Sequence, residues 1–154
     1  MSFFFDDPDP VAVGHSRRDA TCVLGEVDST GLASMFPATK CAKVSSASGV
    51  TTSITCSSYE DRHFIVITQT GKFGSLLTAW AEDRIDGLSK TYESHVLIGK
   101  RDDELLNVFA KQIMQHIAPR STKPLLLSIA LDEAGRDSAT FKSIIDAVIA
   151  NAVW

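Results

Sequence analysis

Two short runs constrain this chain more than any other feature. His63-Phe64-Ile65-Val66-Ile67-Thr68 is β-branched and almost wholly apolar, and Pro124 to Leu131 contains Leu-Leu-Leu-Ser-Ile-Ala-Leu. Runs of this length without polar alternation read as strands covered on both faces. Each square ångström of apolar surface taken from water stabilises a fold by about 25 cal/mol. Both faces of these strands therefore call for shelter.

The shelter available is limited. Leu105, Leu106, Phe109, Ile113 and Ile117 recur at helical spacing. Asp102 is placed to cap that helix, and Asp103 and Glu104 suit the positive end of its dipole. Pro119 predicts its end. A second helix, capped by Asp137 or Ser138, carries Phe141, Ile144, Ile145, Val148 and Ala152 and runs to the chain end at Trp154. Lys111, Gln112 and Lys142 give the helices polar faces. Two amphipathic helices cover one face of a sheet of about six strands. The other face then calls for a second copy or a related subunit, since obligate interfaces resemble a core cut in half. The alternative is a sheet that folds over on itself as a sandwich or half-barrel.

The remaining strands follow from alternation and turn residues. Lys40 to Val44 is a short strand, Ser45 to Gly49 a turn, and Thr51 to Cys56 a half-buried strand with Thr52, Ile54 and Cys56 on one face. Tyr59 to Arg62 forms a polar hairpin connection before the apolar run at His63. Gln69 to Lys72 then reads as a hairpin turn, with Gly71 free to take positive φ. Phe73 to Ala81 reads as the return strand, and Gly74 marks a bulge or a close backbone approach. Glu82 to Lys90 is a polar loop, and Tyr92 to Ile98 a further strand closed by Gly99. The expected fold is α+β: a mainly antiparallel sheet with two helices, in the order β-β-β-β-β-α-β-α, forming a dimer. Residues 1–36, with acidic Asp6-Asp7-Pro8-Asp9-Pro10, read as an N-terminal extension, mobile or loosely docked, in which Thr21 to Val27 is able to pair as a strand. Residues 37–154 read as one domain.

The chemistry of the chain points away from catalysis. Its 44% hydrophobic and 22% charged content and net charge of −4 fit a globular protein without a basic nucleic-acid surface. Neither a signal peptide nor a membrane span of about 20 apolar residues is legible, so a cytoplasmic or nuclear address is expected. Cys22, Cys41 and Cys56 are widely spaced and do not combine with His15, His63, His95 or His116 at metal-ligand spacing. Reduced thiols, no metal and no cofactor are the expectation. Thr70-Gly71-Lys72-Phe73-Gly74-Ser75 evokes a phosphate loop, but Val66 stands where the leading glycine belongs and a strand follows instead of a helix. No Gly-x-Ser-x-Gly elbow is present. Trp154 fits either core packing or an interface anchor.

Gly49-Val50, Thr52, Cys56 and the continuous stretch from His63 to Leu76, with its Thr68-Gln69-Thr70-Gly71-Lys72-Phe73-Gly74 turn, resemble the central hairpin of the proteasome assembly chaperone 3 family. Val96-Leu97-Ile98-Gly99, then Val108-Phe109-Ala110-Lys111, the apolar strand 125–131 and the terminal Val153-Trp154 continue the likeness over about residues 38–154. The resemblance implies a small non-enzymatic α/β chaperone. It implies a dimer, with a chaperone 4-like subunit or with itself, that binds α subunits while the 20S proteasome α-ring is built. It supplies no catalytic residues. Gln69 and Lys72 on the turn, Ile65 and Ile67 on the strand, and Trp154 are the candidate partner-binding residues. The competing reading is a protein-interaction adaptor unrelated to the proteasome; an enzyme ranks below both, for want of any motif.

Overall fold

The two apolar runs lie side by side at the centre of one sheet. The computed structural model describes residues 23–24, 36–46, 49–84, 87 and 89–154. Its elements are β1 (Val23–Leu24), β2 (Ala38–Ser45), β3 (Thr51–Ser58), β4 (His63–Thr68), β5 (Ser75–Asp83), β6 (Lys90–Ile98), α1 (Glu104–Ile117), β7 (Leu125–Ala130) and α2 (Ser138–Ala150), with a short 3-10 turn at Glu133–Gly135. The substantial elements keep the expected order, and β1 adds two residues paired with Thr39 and Lys40. The rest of the expected extension, Phe36 apart, falls outside the described residues.

The strands are ordered β1-β2-β3-β4-β7-β5-β6. All pairs are antiparallel except β4 with β7, which run parallel from His63 beside Leu125 to Thr68 beside Ala130. The expected hairpin between β4 and β5 is therefore corrected. β7 enters the sheet between them, and residues 69–74 cross the end of β7 instead of turning back along β4. Gly74 is where the crossing is tightest. Its φ is +65°, and a Cβ there would sit 2.1 Å from the Ile129 carbonyl oxygen. The close approach read from Gly74 in the sequence is real, and its partner is the backbone of the central strand.

Both helices lie on one side. α1 packs on β5, β6 and β7, and α2 on β2 and β3. α1 buries Leu106, Phe109, Ala110, Ile113, Met114 and Ile117, a stripe at helical period. α2 buries Ile144, Ile145 and Val148. The helices meet through Phe109 and Phe141, whose ring centroids are 4.4 Å apart. Asp137 caps α2 by accepting a hydrogen bond from the Thr140 amide. At α1 the expected cap is corrected: the N-cap is Asp103, not Asp102, and its side chain makes no capping bond. The Asp103 carboxylate instead accepts from Arg136 at 2.7 Å. α2 stops at Ala150, short of the predicted end at Trp154.

Candidate functional site

Strand pleating sends alternate side chains to opposite faces, so the helix-covered face defines the other one. Ile54, Cys56, Ile65, Ile67, Leu77, Ala79, Leu125 and Leu127 are at most 1% exposed beneath the helices. Their neighbours in the chain point the other way. Register then assembles two rows across the sheet. One runs Ser57, Phe64, Leu126, Thr78, His95, and the next Thr55, Val66, Ser128, Leu76, Ile98. Trp80 lies on the same side, its indole N–H donating to Glu82 Oε1 at 2.8 Å. No helix among the described residues lies over this face.

The open face has an apolar centre and polar flanks. Phe64, Val66, Leu76, Leu126 and Trp80 are half-buried and carry the centre. On the β2–β3 flank, small polar side chains pair across the strands: the Thr39 hydroxyl with that of Ser57 at 3.0 Å, and the Cys41 thiol with the Thr55 hydroxyl at 3.7 Å. On the β6 flank stand Glu93 and His95. Phe73 folds onto this face from the crossing loop, its ring 6.1 Å from that of Phe64 and half exposed. The Ser128 hydroxyl donates to the Phe73 carbonyl and holds the loop down. An apolar centre with a polar rim is the anatomy of a protein–protein interface.

The candidate residues named from sequence separate in the fold. Ile65 and Ile67 are fully buried on the helix side. They are corrected as partner contacts: their side chains are spent on the core, and Phe64 and Val66 take the outward positions. Gln69 is corrected from an exposed turn residue to a structural one. Its amide donates to Thr52 Oγ1 at 3.0 Å and its carbonyl accepts from the Asp132 N–H at 2.9 Å. The crossing loop is thereby tied to both β3 and the segment after β7. Lys72 is exposed beside a cleft at the end of the sheet. Trp154 is half-buried, packed against the core with its ring T-shaped to His63 at 6.0 Å. It occupies the helix side, away from the open face. The sequence held one signal for the true outward residues. The alternation of Thr52, Ile54 and Cys56 phases β4 through the pairs Ile54 with Ile67 and Cys56 with Ile65.

The titratable groups behave as structural ones. Burial pushes the Cys56 thiol up to about 12, so it stays protonated and inert. Hydrogen bonds from the Thr140 amide and hydroxyl hold the Asp137 carboxyl below its usual range, the signature of a helix cap. His63 Nε2 lies 2.8 Å from Ser121 Oγ. A serine–histidine pair of this kind invites a catalytic reading, but His63 is 1% exposed and its Nδ1 has no partner. Burial first, and then the nearby Lys123 cation, lowers the imidazole pKa. In a Ser-His-Asp triad the histidine is instead held by a carboxylate, the opposite arrangement.

Comparison with known proteins agrees with this geometry. The model of the family "Proteasome assembly chaperone 3" matches residues 65–151. Proteasome assembly chaperone 3 of Bos taurus is 27% identical over 108 residues, covering 69% of this chain and 86% of the relative. The Homo sapiens protein of the same name is 26% identical over the same shares of both chains. A solved chain from a chaperone complex for yeast 20S proteasome assembly shares the fold, with a TM-score of 0.51 at 14% identity over 73% of this chain and 98% of that one. The family match runs from Ile65 within β4 to just past the end of α2, and on it the chain belongs to the proteasome assembly chaperone 3 family.

Proposed function

We propose that this chain is a non-catalytic chaperone of 20S proteasome assembly that works through its open sheet face. One observation carries the reading: in a family of assembly chaperones, the helices cover one side of the sheet and leave Phe64, Val66, Leu76, Leu126 and Trp80 on the other. Burying such a centre against a second sheet excludes water from both, which is the main driving force for association. The partner is a chaperone 4-like subunit or a second copy of this chain. The pair then presents a rigid surface to α subunits, favouring one neighbour arrangement in the ring and rejecting others by clash. The chain acts in the cytoplasm or the nucleus.

Val66→Asp places a charge at the centre of the face and leaves the helix-side core untouched. Desolvating an unpaired carboxylate costs several kcal/mol, so the variant sediments as a monomer and loses the chaperone partner and the α subunits on co-purification. A wild-type chain that is monomeric at low micromolar concentration, binds no apolar dye and captures no α subunit when core assembly is stalled would refute the proposal.

A further inference from the structure

The motif that failed as a phosphate loop borders a cleft of about 470 Å³ at the end of the sheet. The cleft lies beyond the last residues of β4 and β7, on the helix side and off the open face. Its volume is typical of ligand-binding clefts. Leu106 and Ile129 form an apolar floor, and Gly74 and Gly99 bring bare main chain to the wall. Both glycines are fixed by their surroundings: a Cβ on Gly74 would strike Ile129, and one on Gly99 would strike Ser75.

The rim is cationic. Lys72, Lys100 and Arg136 line the cleft together with a single carboxylate, Asp103. That carboxylate is neutralised by Arg136 at 2.7 Å. Among the described residues neither lysine has an ion-pair partner. Because Asp103 turns to Arg136, the first turn of α1 has no side-chain cap from its N-cap residue. Asp103 and Leu106 put that uncapped end at the cleft, where the helix dipole adds to the positive field. Two features, the lysines and the uncapped helix end, favour the same charge in a ligand. The apolar floor and glycine walls suit a peptide, with an apolar side chain between its carboxylates. A bare phosphate would meet the cationic rim and the helix end but would leave the apolar floor and the glycine walls uncovered.

We infer that this cleft docks an acidic peptide segment of a protein partner, its carboxylates bound by Lys72 and Lys100 and its main chain laid along Gly74 and Gly99. The inference deepens the partner-binding reading and rests on it only for the ligand being a protein. The two fail separately: sheet-face variants abolish association and keep peptide binding, and cleft variants do the reverse.

The test is fluorescence anisotropy with the full chain and a labelled peptide of alternating glutamate and leucine, beside a lysine–leucine peptide. The acidic peptide binds, more weakly as salt rises, and the basic one does not. A charge-assisted hydrogen bond lost per lysine weakens binding about tenfold. Lys72→Gln/Lys100→Gln therefore weakens it about a hundredfold with an unchanged thermal midpoint. Lys43→Gln/Lys142→Gln removes the same charge from exposed sites on β2 and α2 and leaves affinity within about twofold. No binding by the wild type, equal losses in the two double variants, or displacement of the peptide by equimolar inorganic phosphate would each overturn the assignment.

Discussion

The crossing of residues 69–74 over β7 decides where both the open face and the cleft lie, and a pair of alanine substitutions tests it. Gly71 and Gly74 sit in one loop with nearly the same backbone, at φ +69° and +65°. Alanine at either pays for a left-handed conformation, about 1 kcal/mol, partly offset by a stiffer unfolded chain. At Gly71 nothing lies within 4 Å of the new Cβ. Gly71→Ala therefore costs about 1 kcal/mol or less. At Gly74 the Cβ would lie 2.1 Å from the Ile129 oxygen, 2.6 Å from its carbonyl carbon and 2.7 Å from the Ala130 Cβ. These atoms are the main chain and stub of a central strand, with no flexible end to swing aside. Overpacking at such a site costs about 1–3 kcal/mol beyond the backbone term, so Gly74→Ala loses about 2–4 kcal/mol. Urea unfolding followed by tryptophan fluorescence reads this as a midpoint lowered by about 0.3–3 M relative to Gly71→Ala, for a slope of about 1–3 kcal/mol per molar. In a simple β4–β5 hairpin both glycines would stand free at the tip. Equal midpoints for the two variants would refute the crossing and the cleft built on it.

Two further outcomes follow from the buried groups. His63 has its pKa lowered first by burial and then by Lys123, so the unfolded chain binds its proton more readily than the folded one. Its contribution is present above about pH 6.5 and is lost as pH falls below that value. His63→Gln flattens the fall in urea stability between about pH 7 and 5; an unchanged slope would show that the histidine is not held neutral by the fold. Trp154→Ala removes a half-buried ring from the core edge and lowers stability by about 1–3 kcal/mol while leaving the sedimentation profile unchanged. Intact stability with lost association would instead make Trp154 an interface anchor.

Much of the element list was legible because the signals are local. The helical spacing of Leu106, Phe109 and Ile113, the alternation of Thr52, Ile54 and Cys56, and the turn at Tyr59–Arg62 each lie within a dozen residues of chain. The loop at Gln69–Gly74 misled for the opposite reason. Its residues are good hairpin residues, and only the arrival of β7, more than fifty residues later, makes the loop a crossing. Asp103 shows the same limit in small: its spacing marks a helix start, yet Arg136 takes its carboxylate.

The sequence by itself determined that this chain has a greasy sheet with two helices to cover it, because burial demands are written into residue type and period. Which side of that sheet stays open is a different kind of fact. A strand as uniformly apolar as β4 carries no phase of its own, and the inward turn of Ile65 and Ile67 is set by β3 and β7 beside it and the helices above. Tertiary structure alone decided that Phe64, Val66 and Leu126 face outward together, and that Lys72, Lys100 and Arg136 meet around one cleft. Pairing between distant segments is fixed by the free energy of the whole assembled sheet, to which no single window of sequence has access.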